Sequence, residues 1–391
     1  MINVAFIGFL QKKEVVNGVN FAAHNLATGL NQIGVKVFFY EVSDSTTNFT
    51  DEGMVYRRFR KGLLPLKITD ELSDFLEANP DQIDLFHFHS VFIPFFIPIQ
   101  KILRKKGYPY VITPHGGYEK RILKKNSILK KLYIQLFEKH LLSNARSVIC
   151  VSENEIADIR KISQNVPTKV ISNPVLIPVE ENIQPQQKKG AQVLVYLGRY
   201  DIYHKGLDKL IRIFKRVEDH DNNIQLHLYG QGKDKLKLAK LIESLELKNV
   251  ELKEPVYGDK KVQVLKDATA YVQMSNWETF GISVVEAMLL SKPVIISEGC
   301  SLSKLFVESK AGLVVNNNDA DKAADSIIKY ISGTQNVLKD GEALKKLAKQ
   351  KFSICQIVTE TYNLYLQLLK RNHHYGSMIN NVQSLESAAL P

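Results

Sequence analysis

The chain has 391 residues, 45% of them hydrophobic, enough for two ordinary globular domains and too balanced for a disordered or fibrous protein. Its three cysteines, Cys150, Cys300 and Cys355, have no paired spacing, which argues against a disulfide framework or a zinc site and fits a reducing cytoplasm. The net charge is +11, and the window Lys101 to His140 holds much of the excess, with eleven lysines and arginines against Glu119 and Glu138; no nucleic-acid module accompanies it, so no nucleic acid is expected as partner.

Strand-like runs come first at Val4–Ile7, Lys36–Tyr40, Leu85–His89, Tyr110–Thr113 and Ser147–Val151. With a strand at the start of the sequence, no signal peptide is expected. Between the first two runs, Phe21, Leu26, Leu30 and Ile33 have helical spacing. Gly34 follows in the position of a C-terminal cap. The longest apolar stretch, Leu85 to Ile99, contains two His and two Pro and is too short to span a bilayer. The expectation is a soluble or peripherally attached chain.

Pro178 to Gly190 is polar and reads as a linker. Strand signals then resume at Val193–Leu197, Ile224–Tyr229, Val250–Lys253, Ala270–Gln273, Val294–Ile296 and Leu313–Val315, with helical segments between. Two α/β domains with parallel sheets follow from this alternation. Ile354 to Leu369 has the pattern of an amphipathic helix, and Arg371 to Pro391 has no clear period and is expected to be a tail.

Ligands of such sheets bind where strands end. Gly198-Arg199-Tyr200-Asp201-Ile202-Tyr203-His204-Lys205-Gly206 leaves one strand, and an Arg fork with a Lys point charge suits a diphosphate. Trp277-Glu278-Thr279-Phe280-Gly281-Ile282-Ser283-Val284-Val285-Glu286 leaves another. It carries two glutamates eight positions apart, and a helix is expected to start at Ile282. A helix N-terminus suits phosphate, whereas the carboxylates suit hydroxyls. A ligand with both is a nucleotide sugar. The plain alternatives are a solvated loop for Arg199 and Lys205 and two ordinary carboxylates near a helix N-terminus for Glu278 and Glu286.

With Thr113-Pro114-His115-Gly116-Gly117, these segments make residues 1 to 370 resemble the retaining nucleotide-sugar glycosyltransferases of the GT-B fold, the bacterial capsule, O-antigen and exopolysaccharide type. The resemblance implies two facing Rossmann-like domains with a cleft between them. It divides the chain into an acceptor-binding domain, 1–175, a linker, 176–191, a donor-binding domain, 192–353, a helix crossing back, 354–370, and the tail, 371–391. It implies that His115, Arg199, Lys205 and Glu278 act in catalysis. The donor would be held by Gly18, Gly198, Arg199, Lys205, Gly230, Val256, Tyr257, Glu278, Thr279, Phe280, Gly281, Ile282 and Glu286. The acceptor would meet His89, His115 and Gly116. The family's loop near Gly18 usually has two adjacent glycines, and here the first is Asn17. Asn173, before Pro174, matches the segment that leads to the linker.

No metal and no cofactor are expected, because Arg199 and Lys205 would neutralise the leaving diphosphate. His87 and His89 share a strand face but lack further ligands nearby. The implied partners are a nucleotide-diphosphate sugar, UDP-hexose first and GDP-mannose next, and a lipid-linked saccharide. The basic stretch Arg121 to Leu142, with apolar Ile122, Leu129, Leu132 and Leu136, adds an anionic membrane surface, on the inner face of the plasma membrane. Two rival readings are a nucleotide-sugar 2-epimerase on the same fold and a non-catalytic partner subunit.

Overall fold

The computed structural model describes residues 2–9, 18–124, 126–177 and 192–370. Asn17, Lys125, the expected linker 178–190 and the tail 371–391 lie outside the described residues. The chain forms two compact units. One runs to Pro174 and takes up the helix Ile354–Leu369; the other spans Val175–Ser353.

The first unit is built on an eight-stranded sheet. Its strands are β1 (Asn3–Ile7), β2 (Lys36–Ser43), β3 (Thr47–Asp51), β4 (Met54–Arg60), β5 (Leu85–His89), β6 (Tyr110–Thr113), β7 (Ser147–Cys150) and β8 (Thr168–Val170). The order across the sheet is β3-β4-β2-β1-β5-β6-β7-β8, and every pairing is parallel except β3 with β4. Apolar runs such as Leu85–His89, buried at every position, belong in such a sheet because both faces are covered.

The hairpin β3–β4 and the short β8 had no strand signal in the sequence reading. In β4 the apolar Met54, Tyr56 and Phe59 are broken up by arginines, which hides the pattern. The arginines are accommodated by ion pairs, Arg57 with Asp81 at 2.7 Å and Arg58 with Glu41 at 2.7 Å. Tyr56 stacks between Phe39 and Phe49, at centroid distances of 4.8 and 4.6 Å, which fixes the hairpin's register.

The helix Gly18–Gln32 begins earlier than its apolar spacing suggested, and Gly34, at φ 85°, closes the turn after it. It packs on the helix Ile354–Leu369 so closely that a Cβ at Gly29 would lie 2.4 Å from the Val358 side chain.

The basic stretch expected as one helical run over Arg121–Leu142 is instead segmented. Helices Lys120–Lys124 and Ser127–Tyr133 flank Asn126, which is left-handed at φ 56°. A π-helical turn, Ile134–Glu138, leads into Lys139–Ser143. Within the π turn Glu138 is fully buried, where it accepts from the Phe92 amide at 3.0 Å and from the Tyr118 hydroxyl. Ile128, Leu129, Leu132 and Leu136 are all more than half exposed, whereas Ile134, Leu141 and Leu142 are buried.

The second unit carries six parallel strands: β9 (Gln192–Leu197), β10 (Ile224–Tyr229), β11 (Val250–Lys253), β12 (Ala270–Gln273), β13 (Val294–Ser297) and β14 (Leu313–Val315). Their order is β11-β10-β9-β12-β13-β14. The strand order reverses between β9 and β12, and at such a switch point the loops above the strands diverge and leave a crevice. The helix Leu207–His220 covers one face of this sheet. It buries Leu207, Leu210, Ile211, Phe214 and Val217, each worth about 1.5–3 kcal/mol once removed from water.

Candidate active site

The loops after β9 and β12 meet at the switch point. After β9 the chain makes a single helical turn, Ile202–Lys205, capped by Asp201, whose carboxylate accepts from the His204 amide at 3.0 Å. That turn presents the Lys205 side chain toward the loop after β12. There it forms an ion pair with Glu278, both side chains being largely shielded from water. Gln273, at the end of β12, donates to the same Glu278 oxygen at 3.0 Å.

Burial alone would push the Glu278 carboxyl up. Lys205, His204 and Arg199 more than offset it and hold the group below its ordinary value, so it is ionised at neutral pH. Arg199 itself is exposed. His204 stacks on Trp277 at 4.6 Å, and burial first, then Lys205, lowers its pKa to about 4.

The loop after β12 ends at Gly281, which caps the helix Ile282–Leu289 with φ 81°. Only glycine adopts that conformation at little cost. The helix starts at Ile282, and its N-terminus opens beside the Glu278 loop. The side chain of Phe280 turns into the core and meets Phe352 edge-on at 5.4 Å, leaving its backbone as the part that a ligand can use. Thr279 and Ile282 are half-buried.

Glu286 lies one turn into the helix, 1% exposed, and forms an ion pair with Lys261. Burial raises its pKa, with Lys261 pulling the other way. Its second oxygen, Oε2, is buried without a hydrogen-bond partner, an acceptor left open.

Gly198 and Gly230 end neighbouring strands. A Cβ on Gly230 would lie 1.8 Å from the Gly198 carbonyl oxygen, so this close crossing of the two loops admits no side chain. Val256 and Tyr257 follow β11, half-buried and exposed respectively.

Lys209 had no signal in the sequence. On the first turn of the helix Leu207–His220, its ammonium donates to Asn276 at 2.6 Å, Asn318 at 2.7 Å and Asn317 at 3.5 Å. Asn276 donates in turn to the Tyr203 carbonyl at 2.9 Å, and Asn317 to the Met274 carbonyl at 2.8 Å. The loops carrying Lys205 and Glu278 are thus tied together from below. Lys261 was also missed, because its partner Glu286 is on another helix 25 residues away.

In the first unit, three of the sequence's histidines converge. His87 and His89 have rings 4.0 Å apart, and His89 Nδ1 is 3.1 Å from His115 Nε2. His87 is held at both nitrogens, by Tyr365 and by Thr113, each at 2.7 Å. Burial is the main reason that all three titrate below the ordinary imidazole value, His115 at about 4, with Asn173 pulling His115 the other way. His89 is buried and meets His115, which is half-buried.

Below His115, Glu155 accepts from the Gly116 and Val151 amides, and its burial pushes the carboxyl up to about 7. A cavity of about 20 Å³, room for one water, is bounded by these histidines, Thr113, Asn173 and Thr361. Among the described residues, no group of three or more His, Cys, Asp or Glu is arranged to hold a metal ion. Gly18 opens its helix and is exposed.

A doubly wound parallel sheet with cations and carboxylates at its switch point is the class of α/β fold that places its ligand site in that crevice. Two family models match the chain in succession, "Glycosyltransferase Family 4" over residues 16–176 and "Glycosyl transferases group 1" over 179–351. The chain belongs to the group 1 glycosyltransferases, and its fold is GT-B.

Among relatives, a poly(ribitol-phosphate) alpha-N-acetylglucosaminyltransferase of Staphylococcus aureus is 28% identical over 58% of this chain and 46% of its own length. This chain thus spans about half of that relative. A GDP-mannose:cellobiosyl-diphosphopolyprenol alpha-mannosyltransferase of Xanthomonas oryzae is 26% identical over 81% of this chain and 82% of its own. Among solved structures, a sucrose-phosphate synthase of Thermosynechococcus elongatus superposes with a TM-score of 0.76 at 19% identity, covering 95% of this chain and 100% of its own. HepE of Anabaena, in complex with UDP and glucose, does so at 0.74 and 16%, covering 94% and 100%.

Proposed function

We propose that the protein is a retaining hexosyltransferase that moves a sugar from a nucleotide-diphosphate donor to a lipid-linked saccharide in cell-surface polysaccharide synthesis. The observation that carries the reading is the Lys205–Glu278 pair at the switch point, with Arg199 beside it and the Gly281-capped helix opening there. In the donor complex Lys205 and Arg199 take the diphosphate, and their charge stabilises it as it leaves. Glu278 accepts from sugar hydroxyls, and the open oxygen of Glu286 accepts from the ribose. The departing diphosphate assists deprotonation of the acceptor hydroxyl on the same face, which retains the anomeric configuration.

His115, with His89 behind it and Gly116 beside it, acts at the transferred sugar and the acceptor. Gly18, Gly198, Gly230, Val256, Tyr257, Thr279, Phe280 and Ile282 complete the donor site, Phe280 through its backbone. UDP-hexose is the first candidate donor, supported by the fold shared with HepE, and GDP-mannose is the second, supported by the Xanthomonas relative. The lipid-linked acceptor draws support from the same relative, whose name includes a diphosphopolyprenol.

We also infer a peripheral place on the inner face of the plasma membrane. No described helix is long and apolar enough to cross a membrane. The exposed Ile128, Leu129, Leu132 and Leu136, with the exposed Lys124 and Lys131 among them, offer an apolar and basic contact to an anionic surface.

The test is a panel of labelled nucleotide sugars with and without a membrane lipid extract. Transfer from one donor into the lipid fraction, with the anomeric configuration kept, is expected. Donor isomerisation without any acceptor would instead indicate an epimerase, and a lack of binding to every donor would indicate a non-catalytic subunit.

A further inference from the structure

The turn that follows β6 is strained. His115 stands at φ 52° and Gly116 at φ 79°, two left-handed residues in succession. Gly116 adopts this conformation at little cost, whereas a residue with a side chain keeps it only where its surroundings hold it there. One holding contact comes from far along the chain. The Gly116 amide donates to Oε1 of Glu155, 39 positions away.

Glu155 is the third residue of the helix Glu153–Ile162, whose N-cap is Ser152. A glutamate at that position commonly reaches back to an amide at the start of its own helix. Glu155 does so with Oε2, which accepts from the Val151 amide at 2.7 Å. A cap needs no more than that. The other oxygen crosses to the turn that carries His115, so a single carboxylate joins the loop after β6 to the loop after β7.

Ionising that carboxyl is costly. Glu155 is 3% exposed, and among the described residues no lysine or arginine pairs with it. Asp158 on the same helix adds a like charge, and Arg160 on that helix is exposed. Cys150 at the end of β7 and Tyr118 beyond the turn also feel Glu155. Burial keeps both protonated, the thiol up at about 12 and the phenol, with Glu138 beside it, well above its ordinary value. Burial likewise raises Glu155 to about 7, against the pull of the two amides. Ionised, the group offers an acceptor to each amide. Protonated, one oxygen becomes a donor, and one of the two amides loses its partner. Ionisation thus lowers the stability of the fold while it secures the turn. Stability alone does not account for a group placed in that way, and such groups gather where chemistry is done.

We propose that Glu155 is a positioning residue for His115, its carboxylate holding the His115–Gly116 turn and so setting where the imidazole stands. The inference rests on the reading of His115 as the group at the transferred sugar and the acceptor. Gain of a proton by Glu155 releases the turn. Turnover therefore falls as the pH drops through about 7, well above the value near 4 at which the imidazole itself titrates.

The experiment uses the full chain with isotope-labelled histidines, and the His115 ring signal is identified by its absence from His115→Gln. In the wild type this signal is expected to shift with a midpoint near pH 7, although the ring stays neutral there. In Glu155→Gln that midpoint should be gone. Labelled UDP-glucose with a membrane lipid extract supplies the second readout. Wild-type kcat should fall about tenfold between about pH 8 and about pH 6, as the ionised fraction of one group does. Glu155→Gln should be roughly tenfold slow and flat over that range, with the donor KM within about a factor of two. Glu155→Asp, which keeps the charge, should keep a pH-dependent kcat.

A wild-type His115 signal without a midpoint near 7 overturns the inference, and this outcome needs no variant to fold. The same midpoint in Glu155→Gln overturns it too, as does a Glu155→Gln kcat within about twofold of wild type at every pH. Failure of every donor to turn over removes the glycosyltransferase reading instead, and the ring signal then still decides whether Glu155 sets the position of His115.

Discussion

Lys205 and Glu278, 73 positions apart in the chain, form an ion pair across the point where the strand order of the second unit reverses. Each is the other's counter-ion in a shielded setting, and each is the group proposed to receive one half of the donor. Binding must therefore exchange this pair for two new ones, the lysine to phosphate and the glutamate to hydroxyl.

Removing one partner leaves the other uncompensated. Lys205→Ala should cost about 3 kcal/mol of stability as well as activity, because the Glu278 carboxylate remains shielded without its cation. The double variant Lys205→Met/Glu278→Gln should recover most of that stability and none of the turnover. Arg199→Ala, at an exposed residue, should keep its melting temperature and lose roughly 10²–10³ in kcat. Denaturant melts paired with turnover assays check all three. An Arg199→Ala protein with near wild-type kcat would remove Arg199 from the site.

Lys209 is expected to act on the donor without touching it. Lys209→Ala leaves Asn276, Asn317 and Asn318 without their shared donor and loosens the tie between the two loops. The expected result is a donor KM raised roughly tenfold with kcat within about a factor of two. Lys209→Arg should restore part of the loss. Donor titrations of both variants separate this from a general loss of fold.

The buried ionisable groups of the first unit give stability slopes of opposite sign. His87, His89 and His115 titrate below their ordinary 6.5, so the unfolded chain binds more protons as the pH falls. Their contribution is fully present above 6.5 and is lost on acidification, toward about 4 for His115. Glu155, raised from 4.5 to about 7, holds a proton when folded that it has lost when unfolded. Its contribution is fully present below 4.5 and is lost as the pH rises through about 7. Thermal melts across this range should show stability falling on the acid side, and Glu155→Gln should flatten the decline toward neutral pH while keeping the acid branch.

Gly230→Ala is expected to disturb both loops of the donor site, because the new Cβ would lie 1.8 Å from the Gly198 carbonyl oxygen, a backbone atom with no rotamer to change. A stability loss of about 1–3 kcal/mol should accompany weaker nucleotide binding. A variant with wild-type melting temperature and wild-type nucleotide affinity would show that the two loops do not need this close crossing.

Turnover is expected to persist in excess chelator, since Arg199 and Lys205 carry the positive charge that the leaving diphosphate needs. Complete loss of turnover, restored by manganese or magnesium, would contradict this.

Much of the architecture was legible because parallel strands and amphipathic helices write their burial into local apolar patterns. All six strands of the second unit could be read from runs such as Ile224–Tyr229, and the helix Ile354–Leu369 from its spacing. The loops after β9 and β12 also announced themselves, since glycines and charges directly after buried strands have few structural uses. The hairpin β3–β4 was hidden because its arginines find acidic partners only in three dimensions. The basic stretch was legible as helical and basic. The break at Asn126, the inward turn of Glu138 and the outward leucines depend on what the rest of the unit packs against. Lys209 and Lys261 left no trace in sequence, because their partners come from other loops and helices and an isolated surface lysine has the same local pattern. The sequence by itself determined every strand except β3, β4 and β8, the main helices, and which loops carry charge at strand ends. Tertiary structure alone decided which charges meet, because a salt bridge or a buried imidazole cluster depends on distances across a sheet that no local spacing encodes.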